Sequence, residues 1–362
     1  MRAVMALSGG MDSTALLCRL LADGYEVSCI SYDYGQKHVI ELERAKANIA
    51  YLSVNGKSVE HRIVDLSGVM GIFHSALTND EIDVPEGHYE EEQMKATVVP
   101  NRNAIFSSIL YGYALSIATK EDTEVIIALG VHSGDHAIYP DCRPEFYDLL
   151  GKSFALGNWH SERITFHLPY IDGDKETILT DALESCNKLD IHFDTIFRNT
   201  NTSYNPDSKG RSSGTSGADV ERILAFHAIG REDPVEYVTS WNEILLGALK
   251  AQLRFHVMKQ NGTERPFTGE YDKHFETGIY NCADCGIALF GSDSKFDSGC
   301  GWPAFSEELE NANIEQLIDT SHGMKRIEVR CSNCDSHLGH LFHEARGPRY
   351  CINSICLDFQ GE

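Results

Sequence analysis

Four cysteines in two C-x-x-C pairs lie near the end of the 362-residue chain, at Cys282–Cys285 and Cys331–Cys334. Each pair can turn two sulfurs toward one ion, and four thiolates form the tetrahedral set that a structural zinc site requires. Two more cysteines, Cys300 and Cys351, are left over nearby. Spare thiols beside a rigid metal site are candidates for redox chemistry. The sequence therefore predicts one structural zinc ion, bound by Cys282, Cys285, Cys331 and Cys334, and a reactive pair of thiols.

A second group of residues, near the start of the chain, has the composition of a phosphate-binding loop. Ser8-Gly-Gly-Met-Asp-Ser13 follows a predicted strand and opens a predicted helix. The N–H groups at a helix start attract phosphate oxygens, and glycines let the backbone come close to them. Asp12 adds a ligand for Mg²⁺, and the serines add hydroxyl groups. We expect ATP with Mg²⁺ to bind at Leu7, Ser8, Gly9, Gly10, Asp12 and Ser13.

Composition limits the class of protein. A length of 362 residues favours two domains. Lys and Arg number 31 against 54 Asp and Glu, and the net charge of −23 disfavours nucleic acid as a partner. No apolar run approaches the ~20 residues of a membrane span, and no secretory signal is recognised. Seven of the 11 cysteines lie between Cys282 and Cys356, which is typical of metal-binding or catalytic thiols in a reducing cytoplasm.

Short β-rich runs alternate with helical runs up to about residue 240. Such alternation is typical of βαβ units, so we predict an α/β domain over residues 1–240 with a Rossmann-like parallel sheet. Residues 199–217, rich in Asn, Ser and Gly, are expected to form a loop. The predicted strands are 3–7, 27–32, 60–65, 124–130 and 163–168. The predicted helices are 13–22, 39–52, 103–119, 175–189, 218–229 and 241–257, with one more after Pro144.

The pattern changes from about residue 260. Helical periodicity fades, glycines and aromatic residues increase, and β-like runs appear at 278–281, 287–290, 326–330 and 350–358. Short strands of this kind around a cysteine set predict a small, mostly β domain with bound zinc. We expect this second domain to span residues 245–362.

Several segments of the first domain resemble the PP-loop ATP pyrophosphatases, and in particular the 7-cyano-7-deazaguanine synthase family of the queuosine pathway. They are the phosphate loop, Asp33-Tyr-Gly-Gln-Lys-His38 with Glu41, Val99-Pro-Asn-Arg-Asn103, Gly130-Val-His-Ser-Gly-Asp135, Tyr139-Pro-Asp-Cys-Arg143 and Lys175-Glu176. The resemblance implies substrate and active-site residues at Tyr34, Gln36, Arg102, Asn103, Asp135, Asp141, Arg143 and Lys175.

The resemblance also implies a reaction that uses ATP twice. The carboxylate of 7-carboxy-7-deazaguanine is adenylated, ammonia displaces AMP to give an amide, and the amide oxygen is activated again and lost to leave a nitrile. Adenylation is needed because a carboxylate oxygen does not depart at neutral pH.

The chain departs from that family at its zinc site. The family has four zinc-binding cysteines near the end of the domain, and the matching positions here are Ser203, Ser213, Ser216 and Asp219. Hydroxyl groups stay protonated at neutral pH and do not replace thiolates as zinc ligands. Three outcomes stay open. The domain folds without zinc and keeps its chemistry, it adenylates a different substrate, or it binds ATP without turnover.

The segments around the C-terminal cysteines resemble methionine-R-sulfoxide reductase over about residues 245–362. They include Thr263-Glu-Arg-Pro-Phe267, Lys295-Phe-Asp-Ser-Gly-Cys-Gly-Trp-Pro303, Asp335-Ser-His-Leu-Gly-His340 and Arg349-Tyr-Cys-Ile-Asn-Ser354. The resemblance implies that the Cys351 thiolate attacks the sulfoxide sulfur and becomes a sulfenic acid. Cys300 then forms a disulfide with it, which thioredoxin reduces. The competing hypothesis is a zinc-containing binding module without turnover.

The same resemblance assigns four supporting residues. His337 and His340 are expected to lower the pKa of the thiol and to donate a proton to the sulfoxide oxygen. Asn353 is expected to hydrogen-bond that oxygen or a bound water, and Trp302 to face the methyl group beside sulfur. Oxidised protein methionine and a small deazaguanine are thus the expected substrates. The oligomeric state stays open, a homodimer included.

Overall fold

The structure, a computed structural model, describes residues 1–79, 82, 92–203, 206–207, 209–345 and 347–361. The chain divides into two compact units, Met1–Ala248 and Leu249–Glu362. No helix of the described residues is both long enough and apolar enough to cross a membrane.

The first unit contains a five-stranded sheet in the order β3-β2-β1-β4-β5, with every neighbouring pair parallel. Its strands are β1 (Arg2–Ala6), β2 (Glu26–Asp33), β3 (Glu60–Asp65), β4 (Val125–Ala128) and β5 (Ile164–His167). The predicted parallel sheet is confirmed. The strand order reverses between β1 and β4, and in such sheets ligands bind in the crevice beyond the carboxyl ends of the strands at the reversal.

Helices cover both faces of this sheet, because their apolar stripes need a surface on which to be buried. Leu16 and Leu179 belong to one core, and Leu110 and Ile127 to another. The helices of this unit are α1 (Met11–Ala22), α2 (Ile40–Val54), α3 (Ser67–Met70), α4 (Arg102–Glu121), α5 (Pro144–Gly157), α6 (Lys175–Leu189), α7 (Phe193–Arg198) and α8 (Gly217–Ala228). Helix α9 (Trp241–Lys259) begins in the first unit and ends in the second.

The second unit is built on antiparallel sheets. A six-stranded sheet has the order β10-β11-β12-β13-β9-β8, and a three-stranded sheet has the order β14-β6-β7. The strands are β6 (Gly278–Cys282), β7 (Ala288–Gly291), β8 (Lys295–Phe296), β9 (Ala304–Phe305), β10 (Ile314–Asp319), β11 (Arg326–Cys331), β12 (Ser336–Glu344), β13 (Gly347–Ile352) and β14 (Leu357–Gly361). The predicted mostly β character is confirmed.

The prediction of one β run over residues 350–358 is wrong. Strand β13 ends at Ile352, a short 3₁₀ turn occupies Ser354–Cys356, and β14 pairs with β6 in the other sheet. The turn forms because the buried carboxylate of Glu264 accepts the backbone N–H groups of Ser354 and Ile355. The chain therefore changes sheets directly after the predicted catalytic segment.

Candidate active sites

A cavity of about 250 Å³ lies in the first unit beside the phosphate loop. Its lining comes from the loop after β1, the segment after β2, the start of α4 and the start of α6. Ten of the predicted site residues line it, namely Leu7, Ser8, Gly10, Asp12, Ser13, Tyr34, Gln36, Arg102, Asn103 and Lys175. Tyr32 and Phe106, which the sequence did not single out, stack with ring centroids 4.0 Å apart and also line it. The cavity combines an aromatic wall with a polar phosphate-loop end.

Hydrogen bonds from its own serine hydroxyl groups stabilise the phosphate loop. The hydroxyls of Ser8 and Ser13 are 2.9 Å apart, and Gly10 N donates to Ser8 Oγ over 3.1 Å. Gly9 has φ +91°, and a β-carbon there would collide with the carbonyl oxygen of Glu41 in α2. Only glycine permits both that backbone conformation and that close contact. Gly9 thus shapes the loop without lining the cavity.

A charged cluster adjoins the loop. Lys175 Nζ lies 3.2 Å from Asp12 Oδ2 and 3.7 Å from Glu221 Oε2. The same nitrogen is 3.2 Å from His132 Nε2. Burial raises the pKa of Asp12, but Lys175 and His132 outweigh burial and hold it below its usual range. Asp12 is therefore a carboxylate at neutral pH.

The other carboxylate oxygen of Asp12 is the best indication of a missing cation. Oδ1 is buried and has no hydrogen-bond partner among the described residues. A buried carboxylate oxygen without a partner costs free energy unless a ligand satisfies it. The donor set, one carboxylate oxygen beside serine hydroxyls, suits Mg²⁺, which binds oxygen ligands and keeps several waters.

Two predicted residues, Asp141 and Arg143, lie outside the cavity lining. Asp141 does not line the cavity. Its carboxylate accepts the backbone N–H of Asn103 over 3.2 Å at the start of α4. Arg143 is exposed and donates to the carbonyl of His136 over 2.9 Å. The side chain of Asp135 lies outside the described part of the chain. Asp141 acts in this arrangement by positioning α4, and Arg143 has no contact with the cavity.

His38 and Glu41 form a pair in the cavity wall to which the sequence assigned no role. His38 Nε2 lies 3.3 Å from Glu41 Oε2. Burial raises the pKa of Glu41 to about 8, against the opposing charge of Arg102. Burial also lowers the pKa of His38 to about 3, with Arg102 acting in the same direction. At neutral pH the imidazole is neutral and the carboxyl group is mostly protonated.

An oxygen cluster occupies the place of the family's zinc site. The carboxylate of Asp219, 1% exposed, accepts from Ser216 Oγ over 2.7 Å and from Ser203 Oγ over 3.3 Å. Ser213, although matched by sequence, is exposed and bonds Thr215. Its buried neighbour Ser212 hydrogen-bonds Asp219 instead. Burial raises the pKa of Asp219, and these hydroxyl groups oppose it.

A buried ion pair lies beside the oxygen cluster around Asp219. The guanidinium of Arg222 binds both carboxylate oxygens of Asp233, with Nη2 2.9 Å from Oδ1. Its Nη1 also donates to Thr200 and Thr202, at 2.8 and 3.0 Å. The segment that contains these threonines binds the phosphate loop through Asn201 N and Gly9 O, 3.0 Å apart. Hydrogen bonds thus connect this ion pair to the phosphate-loop end of the cavity.

The four C-x-x-C cysteines meet in the second unit. All their sulfurs lie within 4.8 Å of one another. Cys282 Sγ is 3.7 Å from Cys334 Sγ, and Cys285 Sγ is 3.6 Å from Cys331 Sγ. Four sulfurs about 2.3 Å from a zinc ion in a tetrahedron are about 3.8 Å apart. The four thiols therefore have the spacing that zinc requires.

The two remaining predicted thiols also come together. Cys300 Sγ and Cys351 Sγ are 3.6 Å apart, and both cysteines are free and half-buried. Ser298 Oγ lies 2.9 Å from Cys300 Sγ. Cys351 stands on β13, directly opposite His340 of β12 and Ala304 of β9. Directly opposed residues in antiparallel strands project from the same face, so His340 and Cys351 share a surface.

Each predicted histidine is held by a carboxylate. His337 Nδ1 lies 2.7 Å from Glu328 Oε1, and His340 Nε2 lies 3.0 Å from Asp319 Oδ2. The two rings have their centroids 5.5 Å apart. Burial lowers the pKa of His337, although Glu328 opposes this. The carboxylates fix the orientation of both rings beside the thiol-bearing strand.

The expectation that these histidines lower the pKa of Cys351 is not met, because neither ring is among the main groups that set it. Burial and the Cys300 thiol raise the pKa of Cys351 to about 12, and the opposing charge is that of Arg349. Desolvation of the half-buried sulfur disfavours the thiolate. Cys351 is therefore a thiol at neutral pH.

Glu264 connects several predicted site residues. Its backbone N donates to Asn353 Oδ1 over 3.0 Å, and its carbonyl accepts Trp302 Nε1 over 3.2 Å. Asn353 Oδ1 also accepts from Thr263, and its amide nitrogen donates to Leu338 O over 3.1 Å. Asn353 is thus buried, and its side-chain oxygen already accepts two hydrogen bonds from the protein. Its side chain therefore holds neighbouring segments in place.

We expect Glu264→Ala to destabilise the second unit by about 3 kcal/mol. The substitution leaves two buried N–H groups, those of Ser354 and Ile355, without the charged acceptor that the carboxylate supplies. Chemical denaturation followed by near-ultraviolet circular dichroism would measure the loss. Glu270→Ala is the control, because that side chain is exposed and its ion pair with Lys250 is at the surface. Equal stability of both variants would contradict the assigned role of Glu264.

Comparison with known families agrees with this division of the chain. The family model for the "Queuosine biosynthesis protein QueC" matches residues 2–230, and the "SelR domain" model matches residues 250–361. The 7-cyano-7-deazaguanine synthase of Methanoregula boonei is 43% identical over 237 residues, which cover 66% of this chain and 99% of that protein. The 7-cyano-7-deazaguanine synthase 1 of Colwellia psychrerythraea is 40% identical over 236 residues, which cover 65% and 98%. The solved NMN synthetase of Francisella tularensis has a TM-score of 0.29 at 15% identity, over 73% of this chain and 88% of that chain, too weak a likeness for an argument.

Proposed function

Because the chain belongs to the queuosine biosynthesis protein QueC family and carries a SelR domain, the methionine-R-sulfoxide reductase domain, we propose that it is a bifunctional enzyme. The C-terminal reaction reduces methionine-R-sulfoxide in proteins. The N-terminal reaction converts 7-carboxy-7-deazaguanine and ammonia into 7-cyano-7-deazaguanine at the expense of ATP. A reducing cytoplasm suits both reactions, since the reductase needs free thiols and the synthase needs ATP.

The observation that carries the reductase proposal is the 3.6 Å separation of Cys300 Sγ and Cys351 Sγ. Cys351 sulfur attacks the sulfoxide sulfur, the oxygen passes to Cys351 as a sulfenic acid, and methionine leaves. Cys300 sulfur then displaces water from the sulfenic acid and forms a disulfide. A dithiol protein of the thioredoxin class reduces the disulfide. His340, on the same face as Cys351, is the donor for the sulfoxide proton.

An epimer assay tests this proposal. Purified protein with dithiothreitol should reduce the R epimer of a methionine sulfoxide peptide and leave the S epimer unchanged. Equal rates for both epimers, or no reduction of either, would favour a zinc-containing binding module. Replacing dithiothreitol with thioredoxin and its reductase tests the proposed electron donor.

The synthase proposal is supported by the cavity that the phosphate loop, Arg102 and Lys175 share. The loop N–H groups and Lys175 suit the phosphates of ATP, and Asp12 with the serine hydroxyls suits Mg²⁺. The stacked rings of Tyr32 and Phe106 form an apolar wall of the kind on which a purine-like ring packs. When bound, Mg²⁺ offsets the charge that develops on the departing pyrophosphate.

The loss of the family's zinc ligands does not remove the supports of this cavity. Ser203 and Ser216 each donate a hydrogen bond to Asp219, and the Arg222–Asp233 ion pair lies beside them. We therefore favour a domain that folds without zinc and keeps its chemistry. Pyrophosphate release from ATP should depend on both 7-carboxy-7-deazaguanine and ammonium. If the rate of pyrophosphate release from ATP does not depend on 7-carboxy-7-deazaguanine, a different acceptor substrate is favoured.

We expect Lys175→Ala to lower substrate-dependent pyrophosphate release by about 100-fold. The substitution removes the cation that faces both the phosphate loop and Asp12. A coupled assay for pyrophosphate would measure the effect. Lys188→Ala is the matched control, because Lys188 is exposed near the other end of the same helix. If both variants behaved alike, the phosphate contact assigned to Lys175 would be wrong.

A further inference from the structure

We propose that Glu41 is the general base of the N-terminal reaction, and that it takes the proton from the ammonium ion that attacks the adenylated substrate. This inference rests on the proposed synthase function. That function needs such a group, because ammonium has no lone pair with which to form a bond to carbon. The cavity must therefore hold a side chain that accepts a proton near neutral pH and returns it to solvent.

The position of Glu41 suits this role. It lies in the first turn of α2, where its own carbonyl oxygen touches the phosphate loop at Gly9. Its side chain lines the same cavity as Ser8, Gly10 and Ser13. A substrate adenylate formed at the phosphate loop would thus have its reacting carbon in the cavity that Glu41 borders. Asp12, which also lines that cavity, is engaged with Lys175 and stays ionised.

The neighbours of Glu41 set its proton affinity. The ionisable groups that face it are His38, Tyr34 and Arg102, which all line the cavity. Burial keeps His38 neutral and raises the pKa of Tyr34 to about 12, so neither carries a charge at neutral pH. Arg102 opposes the effect of burial on Glu41, whose pKa is about 8. A carboxyl group in this range both takes and releases a proton near pH 7.

The ammonium ion gives one proton to the Glu41 carboxylate, and its freed lone pair forms the carbon–nitrogen bond. The tetrahedral adduct collapses, the carbon–oxygen bond to AMP breaks, and the bonding pair leaves with the phosphate oxygen. A second proton passes from the adduct nitrogen to the departing phosphate, which leaves an amide, AMP and protonated Glu41. Exchange with solvent through the cavity then restores the carboxylate.

The test separates the adenylation step from the ammonium step. Exchange of labelled pyrophosphate into ATP in the presence of 7-carboxy-7-deazaguanine reports adenylation, and amide plus nitrile formation reports the use of ammonium. For Glu41→Gln at pH 7 we expect the ammonium step to fall about 100-fold, whereas exchange changes by no more than about threefold. Glu43→Gln is the matched control, because Glu43 is exposed in the same helical turn and pairs with Lys46.

The pH dependence distinguishes a base from a structural side chain. In the natural protein, the ammonium step should rise with pH through about 8, since the carboxylate is the active form and is lost as pH falls. The rate of the ammonium step in Glu41→Gln, relative to the rate in the natural protein, should be about tenfold higher at about pH 9.5 than at pH 7. The reason is that free ammonia needs no base. Glu41→Asp keeps a carboxylate base, so its rate of the ammonium step should lie between the rates of the natural protein and of Glu41→Gln.

Three outcomes would overturn the inference. The first is a Glu41→Gln variant that uses ammonium at pH 7 as fast as the natural protein. The second is a deficit that is the same at both pH values and in both steps, which would indicate a structural role. The third is the absence of deazaguanine-dependent exchange in the natural protein, which would overturn the proposed function and this inference with it.

Discussion

Replacing Cys351 with Ser is expected to reduce methionine-R-sulfoxide reduction by at least about 10³-fold, as loss of an essential nucleophile does in other enzymes. Serine has nearly the same size but a hydroxyl group, which stays protonated at neutral pH and cannot attack the sulfoxide sulfur. Release of methionine from an R-sulfoxide peptide, with dithiothreitol as reductant, measures the effect.

Cys300→Ser is the informative comparison for this prediction. Cys300 lies 3.6 Å from Cys351 but acts only after the oxygen has been transferred. The Cys300 variant should release about one methionine per chain in a single turnover without reductant, whereas the Cys351 variant should release none. A Cys351→Ser protein that keeps its turnover, with correct folding and zinc content, would show that another residue is the nucleophile.

The resting environment of Cys351 predicts slow alkylation. Burial and Cys300 raise its pKa to about 12, so the thiolate is scarce at pH 7 and increases as pH rises. Iodoacetamide labelling, measured by mass spectrometry, should accelerate steadily from pH 7 to alkaline pH. A plateau below about pH 7 would mean that the thiolate is already formed in the free protein.

Replacing Cys331 with Ser is expected to remove zinc and unfold the second unit. The sulfur of Cys331 is one of four within 4.8 Å of one another, and three ligands hold zinc far less tightly than four. Zinc binding to sites of this type contributes roughly 10 kcal/mol to folding. Loss of most of that free energy is comparable to the whole stability of an ordinary domain, about 5–15 kcal/mol. Zinc content by atomic emission and thermal unfolding of the full chain measure both effects.

Cys356→Ser is the matched control for the zinc prediction. Cys356 is fully buried in the same core, but it is not one of the four ligands, and its Sγ contacts the carbonyl of His337 over 3.4 Å. It should keep about one zinc per chain and lose only a few kcal/mol of stability. Two zinc ions per natural chain would contradict the oxygen cluster around Asp219, because its hydroxyl groups are poor zinc ligands.

Local sequence signals were sufficient for much of the first unit. The predicted bounds of β3 and α6 coincide with the structure, because Gly, Asp and Pro residues interrupt the pattern on either side. The phosphate loop and the C-x-x-C pairs are likewise local, so their residues could be named from spacing alone. Strand β10 was missed because it lies at a sheet edge with most side chains exposed, which weakens its alternation.

The rest of the sites depends on contacts between distant segments. His132, Lys175 and Glu221 meet beside the phosphate loop, although more than 40 residues separate each from the next. His337 and His340 lie on β12, whereas their carboxylate partners lie on the adjacent strand β11 and on β10, the strand beyond it; only the register of the sheet brings them together. Sequence matching placed Ser213 at the lost zinc site, but the backbone turns Ser212 inward. These facts are properties of the folded chain rather than of any short motif.

The two units obtain their rigidity from different elements, oxygen atoms around Asp219 in one and sulfur atoms around a metal position in the other. Zinc starvation is therefore expected to destabilise the second unit, whose four cysteines have the spacing for zinc, and not the first. Under the proposed functions, the reductase would then lose activity, whereas the synthase, whose Asp219 cluster contains oxygen ligands instead of thiolates, would not depend on zinc.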